Sequence, residues 1–228
     1  MEDLTLYVKI FLGKNNEEIE GIFLGKLDNN KKQKRDSLLN TSFEFFITKG
    51  IEKTSISDIV QKAGVAKGTF YLYFKDKYDI RNRLIAHKSS QLFSAAYLAL
   101  SKKDIKNLED KIIFIIDYIL DELNHNKPLL MFIHKDLSWG VFKKALTSSP
   151  NNDDIDFQAI YKKMLEESDN AFIDPEIMLF MIIELVSATG YSAILGQDPC
   201  SLAELKPHLF RSIRDIIKSH TIESGKKE

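Results

Sequence analysis

Cysteine is almost missing from this chain: Cys200 is the single one among 228 residues. An intrachain disulfide framework is thereby excluded, and a reducing compartment is expected, with a cytoplasmic location. Flanked by Pro199 and Ser201, the thiol reads as an inert loop residue. Net charge is nearly missing too. Lys+Arg 32 against Asp+Glu 33 leave a formal charge of −1, which excludes a uniformly basic coat for nucleic acid. The opening MEDL lacks the basic start and small-residue cleavage site of a secretory leader, so none is expected. The most apolar long stretch, 177–196, carries Glu184 at its middle and then Ser187, Thr189, Gly190 and Ser192. A buried helix is expected there rather than a membrane span, and no membrane partner. Catalytic signatures are missing as well, with no phosphate loop, nucleophile elbow or HExxH. The histidines are scattered, and Asp121 and His125, four apart on one helix face, are the nearest approach to a metal pair. No enzyme activity, metal or cofactor is expected.

What is present is unevenly distributed. Residues 31–83 hold twelve cations against six acids, a charge of +6, so the remainder is −7. A basic module joined to an acidic one suits a phosphate-facing domain beside a domain with another partner. Four of those cations, Lys31, Lys32, Lys34 and Arg35, lie together at the start of a helix expected over 31–49, where they oppose its dipole. Proximity to DNA phosphate would offset that cost; a solvated charge run is the alternative. Leu39, Phe43, Phe46 and Ile47 form the apolar stripe of this helix, and Gly50 stops it.

The rest is organised around 57–77, SDIVQKAGVAKGTFYLYFKDK. Ile56, Ile59, Val60 and Ala63 recur at helical spacing, and Gly64 follows where the chain must turn. A second short helix is predicted over about 67–74, with Phe70 and Phe74 inward and Gly68, Thr69, Tyr71 and Leu72 outward. Helix, glycine turn, helix is the helix-turn-helix pattern, whose second helix can enter a major groove. Thr54, Ser55 and Ser57 crowd the start of the first helix, each able to cap it. Asp76 and Asp79 read as the cap and third position of the next helix, with Lys77 against the dipole at its first.

The run AGVAKGTFYLYFKDK, with Thr54 and Ser55 upstream, closely resembles the DNA-binding domain of the TetR family of bacterial repressors. There the motif reads roughly T-S, three or four residues, I-A, two residues, A-G-V-S-K-G-T-F-Y, one residue, Y-F, one residue, S-K. The resemblance covers about 31–83 and says little about the C-terminal two-thirds. It implies an all-α fold with an N-terminal three-helix DNA-binding domain and a C-terminal helical bundle for ligand binding and dimerisation. It implies Thr54, Ser55, Ala66, Lys67, Gly68, Thr69, Tyr71, Leu72, Tyr73 and Lys77 at the DNA surface, Lys77 gripping a phosphate. Packing of Tyr73 against the first helix is the alternative for that residue. Ala66 departs from the family's usual serine, removing a capping hydroxyl.

Residues 1–30 precede anything the resemblance explains, with IFLGK at 10–14 recurring at 22–26. A hairpin, an added helix and a disordered arm are all compatible with this extension, to which no role is assigned. The DNA-binding domain is then expected over 31–78 and the regulatory domain over 79–228. Amphipathic patterns predict helices over 76–100, 104–126, 128–146, 155–167, 175–195 and 205–220, with no strand signal after residue 30. The resemblance further implies a homodimer through the last two helices, where small residues (Ser187, Ala188, Gly190, Ala193) permit close packing. It also implies an unknown small-molecule effector among Phe93, Tyr97, Phe114, Tyr118, Met131, Phe132, Trp139, Phe142 and Tyr161, with His134 or Glu184 as polar anchors. A ligand-responsive regulator of transcription, a repressor on a palindromic double-stranded operator, is the expected function. A helical ligand-binding or interaction protein without DNA binding is the alternative.

Overall fold

The structure, a computed structural model, describes residues 16–133 and 157–222, with side chains over 30–133 and 159–222. The described chain is helix after helix, as the amphipathic patterns require. It divides into two compact units, Met1–Arg81 and Asn82–Glu228.

The first unit begins on α1, Asn16–Thr48, a single helix that runs through the expected start at residue 31. Residues 16–30 are therefore an added helical segment; the part of the extension before residue 16 lies outside the described residues. Consequently the basic run at 31–35 sits in mid-helix, and no dipole opposes it. Next come α2, Ile56–Ala63, and α3, Lys67–Tyr73. Ser55 caps α2 in a reciprocal box: its Oγ accepts from Asp58 N at 3.1 Å, and its N–H donates to Asp58 Oδ2 at 3.2 Å. At the other end Gly64 takes φ 67°, a left-handed C-cap that a residue with a Cβ would enter only under strain. Leu38, Phe46, Ile59, Val60, Phe70, Phe74 and Ile80 are buried, and the Phe70 and Phe74 rings meet at 5.5 Å. The last of these belongs to α4, Lys77–Leu100, which starts in the first unit and continues into the second. Asp76 Oδ1 accepts from Tyr78 N and Asp79 N, both at 2.8 Å, while Asp79 Oδ2 takes the N–H of Lys75 at 2.9 Å.

The second unit adds α5 (Leu108–His125), α6 (Lys127–Ile133), α7 (Phe157–Glu166), α8 (Pro175–Tyr191) and α9 (Leu202–His220). A short π-helical piece, Ser192–Gly196, prolongs α8. Its core includes Leu92, Ala96, Ile112, Leu120, Met178, Ile182, Leu209 and Ile213. One small correction concerns strands: β1, Ala171–Phe172, pairs antiparallel with β2, Thr221–Ile222, each too short to leave a periodic signal. Another concerns α9, which starts three residues earlier than its apolar pattern suggested, because Ser201 and Glu204 form a second capping box ahead of Pro207.

Helix α8 and its extension, Pro175–Gly196, are long and apolar enough to cross a membrane, with mean hydropathy 1.8. The expectation of a buried helix is met only on one side. Met178 and Ile182 are in the core, whereas Ile177, Phe180 and Met181 are exposed, and 28% of the apolar window is buried. Glu184, half-buried, follows at the same helical spacing. Gly190, by contrast, serves packing within the chain. A Cβ there would lie 2.7 Å from Leu120 Cδ2, so any side chain would have to displace the end of Leu120 where α8 approaches α5.

Candidate nucleic-acid interface

The outer side of α3 is an exposed surface built from few atoms. Phe70 and Phe74 anchor the helix inward, which at 100° per residue turns Lys67, Gly68, Tyr71 and Leu72 to solvent. Leu72 is 80% exposed and Tyr71 53%, although burying such side chains would release about 1.5–3 kcal/mol each. Thr69 is half-buried beside them, and Ala66, at the N-cap, is exposed and gives no side-chain cap bond. Gly68 has an ordinary helical backbone, and a Cβ built on it would find nothing within 4 Å. Among the described residues, then, nothing compels glycine there, yet it costs about 1 kcal/mol of helix propensity against alanine.

Four residues expected at the DNA surface are engaged inside the unit. Thr54 is 2% exposed and its hydroxyl donates to Gly50 O at 2.8 Å, so it turns away from the surface that the motif suggested. Ser55, exposed, spends its hydroxyl on the cap of α2. Tyr73, half-buried, donates from Oη to Lys31 O at 3.2 Å, tying the end of α3 to α1 as its alternative reading had it. Lys77 is also engaged: Nζ donates to Ile51 O at 3.0 Å and Glu52 O at 3.2 Å, with Glu52 Oε2 at 3.7 Å. These bonds hold the loop between α1 and α2. Tyr78 Oη donates to the same Glu52 carboxylate at 3.2 Å, and that carboxylate holds the phenol above its ordinary range. On α2, the backbone N–H and then the hydroxyl of Ser55 hold Asp58 below the usual carboxylate range.

Among the described residues, no comparable gathering is seen for the expected effector set. Phe93 is buried and stacks on half-buried Tyr97, ring centroids 6.4 Å apart and nearly parallel at 7°. Phe114, Tyr118, Phe132 and Tyr161 are half-buried against the core of the second unit. Tyr161 Oη donates to Pro175 O at 2.7 Å, and burial pushes its hydroxyl up from the ordinary phenol range. Met131 is 63% exposed, so its position on α6 does not make it a wall of an apolar cavity. His134, Trp139 and Phe142 lie outside the described residues. A cleft of about 650 Å³ is found elsewhere in the unit, lined by polar groups including Lys106, Glu109, Glu167, Asp169, Arg214 and Lys218. Arg214 there pairs with Glu109 and, at 3.0 Å, with Asp110; no aromatic pattern could have flagged it. The Asp121 carboxylate, half of the possible metal pair, takes Lys206 Nζ at 2.6 Å, and His125 Nδ1 donates to Asp121 O at 2.6 Å.

Comparison with known proteins agrees with this geometry. Residues 38–84 match the family described as "Bacterial regulatory proteins, tetR family". The chain is 44% identical over 63 residues to the uncharacterized HTH-type transcriptional regulator YvdT of Bacillus subtilis (strain 168), across 26% of this chain and 32% of that protein. Only about a third of YvdT is therefore spanned. With the transposon Tn10 TetC protein of Escherichia coli it shares 28% identity over 157 residues, 65% of this chain and 74% of that one. The transcriptional regulator FadR from Bacillus subtilis, solved in complex with stearoyl-CoA, has a similar fold, with a TM-score of 0.56 at 20% identity. That likeness covers 78% of this chain and 96% of FadR.

Proposed function

We propose that the chain, whose residues 38–84 match the TetR family of bacterial regulatory proteins, is a ligand-responsive repressor of that family. It binds a palindromic operator as a homodimer and releases it when a small molecule enters the second unit. The observation that carries the reading is Gly68. A helix of seven residues spends about 1 kcal/mol on a glycine that no neighbour among the described residues requires. A groove wall approaching the backbone supplies the requirement, and Lys67, Thr69, Tyr71 and Leu72 then meet base edges and phosphates.

The exposed residues Ile177, Phe180 and Met181 support the dimer, since they form an apolar stripe at helical spacing on α8. Coupling runs along α4, whose first turn lies in the reading head and whose remainder lies in the regulatory unit. A ligand that fits one arrangement of that unit better than the other shifts the equilibrium between them by its differential affinity. Because FadR was solved with stearoyl-CoA, an acyl-CoA is the first effector class to test. The protein acts in the cytoplasm, where its operator lies.

Selection of bound sequences from a random duplex pool tests the proposal. An inverted repeat with half-site centres one helical turn apart, about 34–36 Å, is expected. A pool that enriches no motif, or enriches an asymmetric one, contradicts it.

A further inference from the structure

Resting on the reading above, the geometry points to Tyr78 as a positioning residue for Lys77: its hydroxyl holds the Glu52 carboxylate off the lysine ammonium, which keeps a charged donor open for a DNA phosphate. The three side chains meet inside the first unit, where the start of α4 meets the loop that leads into α2. Two of the three N–H donors of Lys77 are taken by Ile51 O at 3.0 Å and Glu52 O at 3.2 Å. The third is the one that a partner can use.

Glu52 is the group that competes for it. A carboxylate free to close on an ammonium settles at about 2.7–2.9 Å. Here Glu52 Oε2 stays 3.7 Å from Lys77 Nζ, although the acid's side chain is 75% exposed. Tyr78 supplies the restraint, since its Oη lies 3.2 Å from Glu52 Oε1 and 3.3 Å from Oε2. That bond and the charge of Glu52 hold the phenol above its ordinary range, so Tyr78 stays protonated and goes on donating at neutral pH. Its ring centroid lies 5.5 Å from the same ammonium, so one side chain attends both charges. Without the hydroxyl, the carboxylate closes on Nζ, takes the remaining donor and repels the phosphate.

The test is a double-mutant cycle on the full chain, titrated against a random duplex from about 50 to 200 mM salt. Y78F keeps the ring and, at a position 47% exposed, leaves the fold intact. It is expected to lower affinity by up to about fivefold, the worth of one exposed ion pair. It also flattens the slope of log affinity on log salt by up to about 0.9, the share of one phosphate. E52Q removes the competing charge and keeps an acceptor for Tyr78, so it binds at least as tightly as the wild type. Y78F/E52Q regains the slope and affinity that Y78F lost, because no carboxylate remains to close on the lysine. In a K77A background, Y78F changes neither. A Y78F chain that keeps the wild-type slope overturns this inference alone, and so does a Y78F loss that persists in K77A. A gain from E52Q that is equal with and without the hydroxyl overturns it as well, since the two residues would then act independently. A wild-type chain that binds no duplex at low salt overturns it together with the reading beneath it.

Discussion

The ammonium of Lys77 donates to the main-chain carbonyl of Ile51 at 3.0 Å, across 26 residues of sequence, and holds the loop that leads into the reading head. A second bond, to Glu52 O at 3.2 Å, leaves one of its three donors uncommitted by these two carbonyls. The lysine is thus a pinned charge, which costs little side-chain ordering when a phosphate arrives. Lys77→Ala is expected to act twice. Losing two charge-assisted bonds at a partly exposed site lowers stability by about 1–2 kcal/mol, seen as a lower midpoint of thermal unfolding. Losing the charge flattens the salt slope of DNA binding by about one unit. A variant that unfolds at the wild-type temperature contradicts the clamp, and one with an unchanged slope contradicts the phosphate contact.

Gly68→Ala separates the chain's interest from that of its partner. Its Cβ meets nothing within 4 Å, so alanine is expected to stabilise the first unit by about 0.5–1 kcal/mol. Affinity for the operator is expected to fall, because the methyl group stands where the groove wall approaches. Denaturant unfolding and operator titration of the same preparation read both effects. An alanine variant that binds as tightly as the wild type would show that the approach is not close at this position.

Leu72 offers an isolated apolar surface to the groove, and the C5 methyl of thymine is the group that matches it. Replacing each operator thymine in turn by deoxyuridine removes only that methyl. One position per half-site is expected to lose affinity for the wild-type chain, by up to about 1 kcal/mol for one buried methyl or methylene-sized group. Leu72→Ala should be indifferent to the same replacement and, the side chain being 80% exposed, should fold as stably as the parent. Equal sensitivity in both proteins would argue against a methyl contact.

For the apolar row on α8, charge is the natural probe. I177E/M181E places two carboxylates on side chains that are exposed in the single chain, so helix content and unfolding temperature are expected to hold. Sedimentation should then show a monomer in place of a dimer, with operator affinity lost along with it. A double variant that remains dimeric moves the interface elsewhere.

Much of the reading head was legible in the residues because its signals are local. Ser55, Asp58 and Gly64 mark both ends of α2 within ten residues, and Phe70 with Phe74 orient α3 by spacing alone. What escaped depends on distant partners or on competing signals. The inward turn of Thr54 is decided by a carbonyl at Gly50 and by burial. The start of α1 at Asn16 is hidden by glycines and by an alternation, Leu4 to Leu12, that suggests strand. Apolar residues of α8 look alike in sequence whether they face the core, as Ile182 does, or solvent, as Ile177 does. Only the packing of α5 and α9 against one side of that helix tells them apart.

Titration of the full chain against a random DNA duplex across a salt series tests the central claim most directly. With α3 and its basic surroundings turned outward, tight binding at low salt and a steep negative slope of log affinity on log salt are expected. A chain that leaves the duplex unbound at the lowest salt would contradict the account.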